Sequence, residues 1–341
     1  MPKVVTFGEI MLRLSTPGNQ RFIQAQSFEV TYGGAEANVA VSLANYGLDA
    51  YFVTKLPANP IGQAALNHLR RYGVHTDYIL RGGPRLGIYF LESGVAQRPS
   101  KIVYDRLPSA LSEALPEEFK WQDIFKGASW FHFTGITPAL SVNASQATVE
   151  AAKAAKAQGA TVSCDLNYRK NLWSPERANQ VMTEAMQYVD VLIANEEDAE
   201  KVFGIKASSS DVSAGKLSEA GYREVARQLA DRFGLSYVAI TLRESLSASQ
   251  NGWSGLLFHQ GSFYRSPRYN ITPIVDRVGG GDSFGGALIY SLLAGKDPQD
   301  ALNFAVAASC LKHSIPGDFN LVGVEEVELL ARGDASGRVQ R

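Results

Sequence analysis

Short apolar runs rich in β-branched and aromatic residues recur at 4–7 (VVTF), 50–53 (AYFV), 130–133 (WFHF), 160–164 (ATVSC), 190–194 (DVLIA) and 237–241 (YVAIT). Runs of this kind predict strands buried on both faces. Between them the apolar positions recur every three or four residues over 35–46, 60–72, 143–158, 176–188 and 221–234, and several of these stretches open on Pro, Ser or Asn in cap-like positions. That period predicts amphipathic or Ala-rich helices. Strand–helix alternation argues for an α/β fold, a doubly wound and mostly parallel sheet.

Two stretches break the rhythm. Residues 11–32 and 86–106 carry short alternating patterns with turn residues between them. They predict strands of a small accessory sheet inserted into the α/β body as a lid. Antiparallel edge strands of the main sheet are the alternative that the pattern leaves open. The polar segment 206–220 (KASSSDVSAGKLSEA) reads as a mobile surface loop, and the tail after Leu330 as frayed. The expected folded unit is 1–334, lid included, with 335–341 outside it.

Charge narrows the partners. The chain has 33 Lys+Arg against 34 Asp+Glu and no block of like charge, which argues against a nucleic-acid or polybasic membrane binder. Its two cysteines, Cys164 and Cys310, stand apart from any CxxC or His/Cys grouping, so free thiols in a reducing compartment are expected. The N-terminal apolar stretch is broken by Gly8, Glu9 and Arg13, and no run approaches the ~18 residues of a membrane span. A cytoplasmic globular enzyme or binding protein is the expectation.

The densest chemical signal is DRVGGGDSFGGALIYSLLAG at 276–295. Gly279, Gly280 and Gly281 run into a helix whose first turn holds Asp282 and whose apolar face continues through Phe284, Leu288, Ile289 and Leu292. Backbone N–H groups bare of side chains at a helix N-terminus attract an anion. An acid among them can accept a proton from a hydroxyl beside a bound phosphate, which is the arrangement phosphoryl transfer needs. A tight turn with Asp282 as an ordinary cap is the plainer reading. The chain has neither GxxxxGK[ST] nor GxGxxG, so this turn is its main candidate phosphate cradle. Asp276 could hold a cation or end a strand.

GGAEANVA at 33–40 resembles the N-terminal signature of the ribokinase-like (PfkB-type) sugar kinases, and DRVGGGDSFGGAL at 276–288 resembles their C-terminal signature. The resemblance covers essentially the whole chain. It implies a Rossmann-like αβα sandwich with a small β-sheet lid, ATP as phosphoryl donor and Mg2+ on its phosphates, and it leaves room for a monovalent cation. It implies Asp282 as catalytic base and Gly279, Gly280 and Gly281 as the anion hole. Asn195, in ANEEDAE, matches an Asn-x-x-Glu element associated with metal and phosphate, its last position here being Asp198. A plain helix cap is the alternative for that pair. Asn167, Thr241, Arg243 and Ser245 fall to the nucleotide region, although TLRESLSAS at 241–249 lacks the glycine-bearing turn common there. His313 falls where the family builds its adenine pocket.

Two arginines bear on the acceptor. Arg106 leaves a lid-like strand (YDR) and Arg169 follows a buried one (DLNYR), so both could face the cleft. An anionic substrate would give the two planar guanidiniums a reason to converge. Ion pairs, for example with Asp105 or Asp165, are the alternative. These segments, with LGIYF at 86–90 and KHSIPGDFN at 312–320, resemble the 2-keto-3-deoxygluconate kinase branch. The implied substrate contacts are Gly33, Gly34, Asn38, Tyr89, Tyr104, Arg106 and Arg169. A fructokinase or ribokinase acting on a neutral sugar and a catalytically silent sugar-binding relative are the competing expectations. The resemblance also implies a homo-oligomer. At a helix N-terminus Asp282 should have a depressed pKa, making it a weak base at neutral pH.

Overall fold

Within β1 (Lys3–Phe7), Val5 and Phe7 belong to one apolar layer and Val4 to another, and all three are fully buried. Side chains of a strand alternate between faces, so a run that is apolar throughout needs cover on both sides. The computed structural model describes residues 1–206 and 219–334.

After β1 come β2 (Met11–Ser15), β3 (Glu29–Gly33), α1 (Ala35–Asn45), β4 (Asp49–Leu56), α2 (Pro60–Arg71), β5 (Ile79–Arg81), β6 (Ile88–Glu92) and β7 (Lys101–Asp105). The middle of the chain forms α3 (Trp121–Ile124), β8 (Ala128–Thr134), α4 (Val142–Ala157), β9 (Thr161–Asp165), α5 (Pro175–Ala185), β10 (Val191–Ala194) and α6 (Glu196–Phe203). The rest comprises α7 (Glu219–Phe233), β11 (Tyr237–Ser247), β12 (Gln250–His259), β13 (Ser262–Arg265), β14 (Tyr269–Ile271), α8 (Gly280–Leu293), α9 (Pro298–Lys312) and α10 (Val324–Ala331).

The large sheet runs β13-β12-β11-β10-β9-β8-β1-β4-β5, with β14 paired to β12. Neighbours from β11 to β5 are parallel, whereas β12 turns back antiparallel on β11. Phe131 and Phe133 of β8 join the layer formed with α3 to α7, and Trp130 joins the layer formed with α8 to α10. The sheet is therefore covered on both faces, as its apolar runs predict. From β1 the chain moves outward to β4 and β5, then returns to β8 and moves the other way. Ligands of open α/β sheets bind at such a reversal, outside the carboxyl ends of the strands.

Residues 11–32 and 86–106 supply the second sheet, β3-β2-β6-β7, and do not extend the first. The strand expected to stop at 241 runs on to Ser247 as one arm of a hairpin with β12. Its outer half is largely exposed and so has no apolar run to mark it. The tail expectation needs a correction as well. Ala331 closes α10 and the Arg332 N–H donates to Glu328 O, so the chain just past Leu330 is still helical. Residues 335–341 lie outside the described residues. So do 207–218 of the expected loop, whereas Glu219 and Ala220 open α7.

Candidate active site

Two glycines inside α8 decide how closely it meets α1 and β10. A Cβ on Gly286 would lie 2.8 Å from the Ser42 Cβ, and one on Gly285 3.3 Å from Ile193. The close approach carries the first glycine motif onto the second. Asn38 Nδ2 donates to Asp282 Oδ2 at 2.6 Å across 244 residues of sequence, while Asn38 Oδ1 accepts from the Gly34 N–H at 3.3 Å. Gly34 is required for its own reason: a Cβ there would sit 1.9 Å from the carbonyl oxygen of Glu9.

Gly279, the N-cap of α8, has φ +81°, and a Cβ on it would meet the Asp318 carbonyl at 2.0 Å. Gly281 faces open space. Helix geometry leaves the first amide N–H groups without intrahelical partners, and no side chain caps α8. These amides open on a cleft of about 1010 Å³ whose wall includes Gly33, Gly34, Asn38, Gly279, Gly280, Gly281 and Asp282.

Burial pushes the Asp282 carboxyl up to about 7. Its Asn38 hydrogen bond works against that, Asp318 and Glu36 add to it, and Arg169 opposes it. The direction is thus opposite to that expected from the helix N-terminus, because burial disfavours the charged carboxylate. Asp198 is pushed to about 7 by the same burial, against the opposing charge of Arg169 and the Tyr168 N–H. Asp165, at the end of β9, is held well above the usual carboxylate range by burial and by Asp198 and Asp282. Asp165 thus feels the charges of both Asp198 and Asp282, and the positive charge of Arg169 acts on all three.

The same wall holds Tyr89, Tyr104, Arg106, Asn167, Arg169, Asn195, Asp198, Thr241, Arg243 and Ser245. Asn195 is also the side-chain cap of α6, accepting from the Asp198 N–H at 2.8 Å. Tyr89 and Tyr104 face each other across β6 and β7 with ring centroids 6.0 Å apart. Arg106 is not paired with Asp105, which Arg85 takes; its Nε donates to Glu9 at 2.5 Å, and Glu9 is gripped on its other oxygen by Ser109. Arg169 is exposed and forms no salt bridge among the described residues, Asp165 included; its Nη1 donates to the Tyr168 carbonyl.

Two expected site residues lie off the wall. Asp276 is buried and committed, its carboxylate receiving Arg13 at 2.5 Å and the N–H groups of Val278 and Gly317. Its carboxylate is thus engaged by Arg13 and two backbone N–H groups, away from the cleft wall. His313, 2 % exposed, packs under Gly280 and bonds Ser309 O through Nδ1, with burial lowering it to about 4. Sequence reasoning missed Asp165, Glu244, Trp253, Arg277 and Asp318, all on the wall. Asp165 had a signal: it closes a buried parallel strand at its carboxyl end. Asp318 accepts Tyr89 Oη at 2.7 Å and Arg13 Nη1 at 2.6 Å, partners that local pattern cannot reveal.

A model of the pfkB family carbohydrate kinases matches residues 1–319. A 2-dehydro-3-deoxygalactonokinase of Haloferax volcanii is 36% identical over 335 residues, 98% of each chain. The crystal structure of a 2-dehydro-3-deoxygluconokinase from Thermotoga maritima is 58% identical and superposes with a TM-score of 0.94, over 98% of this chain and all of that one (100%). A fructokinase of Xylella fastidiosa solved with bound ATP shares the fold at 23% identity and a TM-score of 0.77, over 97% of this chain and 98% of that one.

Proposed function

The chain belongs to the pfkB family of carbohydrate kinases, and on that premise we propose that it transfers the γ-phosphoryl group of ATP to the terminal hydroxyl of 2-keto-3-deoxygluconate, giving 2-keto-3-deoxy-6-phosphogluconate. The observation that carries the acceptor is Arg169: an exposed guanidinium on the wall of the cleft, with no salt-bridge partner among the described residues, facing the same space as Asp282 and the glycine turn. A sugar carboxylate supplies the planar partner it lacks. Tyr89, Tyr104 and Arg106 hold the lid side of the sugar acid, and Gly33, Gly34 and Asn38 the body side.

In this reading Asp282 takes the proton of the terminal hydroxyl as that oxygen forms its bond to the γ-phosphorus, in line with the bridging P–O bond that breaks to release ADP. A carboxyl near 7 is better matched to this task than one near its ordinary value. The amides of Gly279, Gly280 and Gly281 stabilise the charge on the transferred group. Asn167, Thr241, Arg243 and Ser245 line the nucleotide side. Gly281 lies open to the cleft, with nothing within 4 Å of where a Cβ would stand, which leaves room for a phosphate beside it. Among the described residues no three acidic, His or Cys side chains gather into a metal cage, so Mg2+ would be held mainly by phosphates and water, with Asp198 on the cleft wall as the carboxylate we assign to it. When bound, it neutralises phosphate charge.

The Haloferax relative supports a second acceptor, the galactonate epimer, which differs at a single carbon. A coupled ADP-release assay over both epimers, fructose and ribose decides. The gluconate-derived acid should give the highest kcat/KM. Preference for its epimer would move the assignment to that acid, and preference for fructose or ribose would overturn the role of Arg169. We also read 1–334 as one kinase unit, and the face of β7 that carries the exposed Val103, turned away from the cleft residues Ile102 and Tyr104, as a surface for a second copy. No helix among the described residues is long and apolar enough to cross a membrane.

A further inference from the structure

Lys312 closes α9 and is fully buried, at 0 % exposure. Its Nζ donates to the carbonyl oxygens of Gly317 at 2.6 Å, Asp276 at 3.3 Å and Ile315 at 3.3 Å, and it forms no salt bridge among the described residues. An isolated buried ammonium is costly. Here it belongs to a balanced set, because Arg13 bridges Asp276 and Asp318 and the four groups together carry two positive and two negative charges. Burial lowers the pKa of Lys312, while Asp276 and Asp318 raise it. Converging carbonyl dipoles around a compact, singly charged centre form the kind of cage that a free monovalent cation occupies.

The carbonyls come from both sides of the glycine turn. Asp276 begins the segment leading into α8, and its carboxylate accepts the Val278 N–H at 3.0 Å. Ile315 and Gly317 belong to the loop that ends against Gly279, where the Asp318 carbonyl leaves no room for a Cβ. We propose that the Lys312 ammonium is a tethered monovalent cation that locks these two segments together and so fixes where the Gly279–Asp282 amides point, making the kinase independent of free K+, Na+ or NH4+. Lys312 is a positioning residue: it does not line the cleft. The inference rests on the reading of α8 as the phosphate cradle, and it removes the need for the monovalent cation that the family resemblance allows.

Two measurements test it. Turnover of the wild-type enzyme in chloride salts of choline, Na+, K+ and NH4+ at equal ionic strength should be the same, and a several-fold activation by K+ or NH4+ would overturn the proposal. Lys312→Ala should lower kcat by about 100-fold, as expected when catalytic groups are misplaced, with recovery of about tenfold on adding ammonium or methylammonium. In parallel, the ligand-free variant should melt at a higher temperature in ammonium than in choline, whereas the wild type should not. Unchanged turnover of the variant, or a loss that no cation moves in either activity or melting, reduces Lys312 to an ordinary buried loop anchor and overturns the proposal. If Lys312→Ala does not fold, Lys312→Met enters the same tests, and the wild-type salt series stands without either variant. The melting arm needs no substrate, so it reads the cage even if the proposed acceptor proves wrong.

Discussion

Asp282 and Asp318 are carboxylates on the wall of one cleft, yet they are held in opposite ways. Asp318, 4 % exposed, accepts Arg13 Nη1 at 2.6 Å and the Tyr89 hydroxyl at 2.7 Å to each oxygen. Among the described residues Asp282 has one side-chain partner, the neutral Asn38 amide at 2.6 Å, and the neighbouring charge of Asp318 raises it further. A guanidinium in direct contact turns a buried carboxylate into an anchor. Leaving the guanidinium out keeps a proton acceptor poised near neutral pH.

Removing the acceptor should have the largest effect. Asp282→Asn is expected to lower kcat by about 10³-fold, within the range for loss of general acid–base catalysis, with ATP affinity by calorimetry retained. Near-normal turnover would remove Asp282 as the base. The pH dependence has a definite sign. A carboxyl at about 7 in the folded protein and near 4 when unfolded binds more protons folded than unfolded across that window, so its contribution to stability falls as pH rises through it. The ligand-free Asp282→Asn protein should therefore melt above wild type at about pH 8, and the gap should close towards about pH 4. In wild type, turnover should rise with pH through about 7, and Asp282→Asn should lack that limb.

The opposite break tests the anchor. Asp318→Ala leaves Arg13 buried with Asp276 as its remaining salt-bridge partner, and should cost about 3 kcal/mol in urea unfolding, the scale for breaking a buried ion pair. A loss within the ordinary surface range would show that Asp318 is not structural. Arg169→Ala comes next. A hydrogen-bonded ion pair to a substrate carboxylate is worth about 2 kcal/mol, or roughly thirtyfold in kcat/KM for the sugar acid. A neutral analogue should lose much less, and equal losses would shift Arg169 to the nucleotide.

Only one side of this contrast was legible in the chain. Asp282 stands in GGGD, where local spacing exposes its chemistry, and the structure joins that motif to the first one through the Asn38–Asp282 hydrogen bond. Asp318 gains its meaning from Arg13 and Tyr89, 305 and 229 residues away, and nothing local encodes those pairings. Local pattern leaves Asp276 open between holding a cation and ending a strand for the same reason: its Arg13 partner lies on β2, in the small sheet. The direction of the Asp282 shift was not legible because a helix terminus is visible in sequence and the burial of its carboxyl is not. The parallel strands were legible because they are apolar on both faces. The hairpin was not, because β12 carries Gly252 and Gly255 in its interior and the outer part of β11 is exposed.

Helix capping carries the contrast to its smallest test. Side chains of Asn59, Ser141, Ser174, Asn195 and Asp297 cap α2, α4, α5, α6 and α9, whereas α1 and α8 begin at glycines with no side-chain cap. The amides of α1 and α8 therefore remain available on the cleft. Those of α6 are partly spent on Asn195, although Asn195 also reaches the cleft wall. Asn195→Ala should cost about 1 kcal/mol of stability, the usual price of a lost N-cap. Asn195→Ser supplies a shorter cap and should recover most of that stability. If capping is the whole role, KM for ATP stays constant across the three proteins. A KM that rises in both variants while only the alanine is destabilised would give Asn195 a contact with nucleotide or metal beyond the cap.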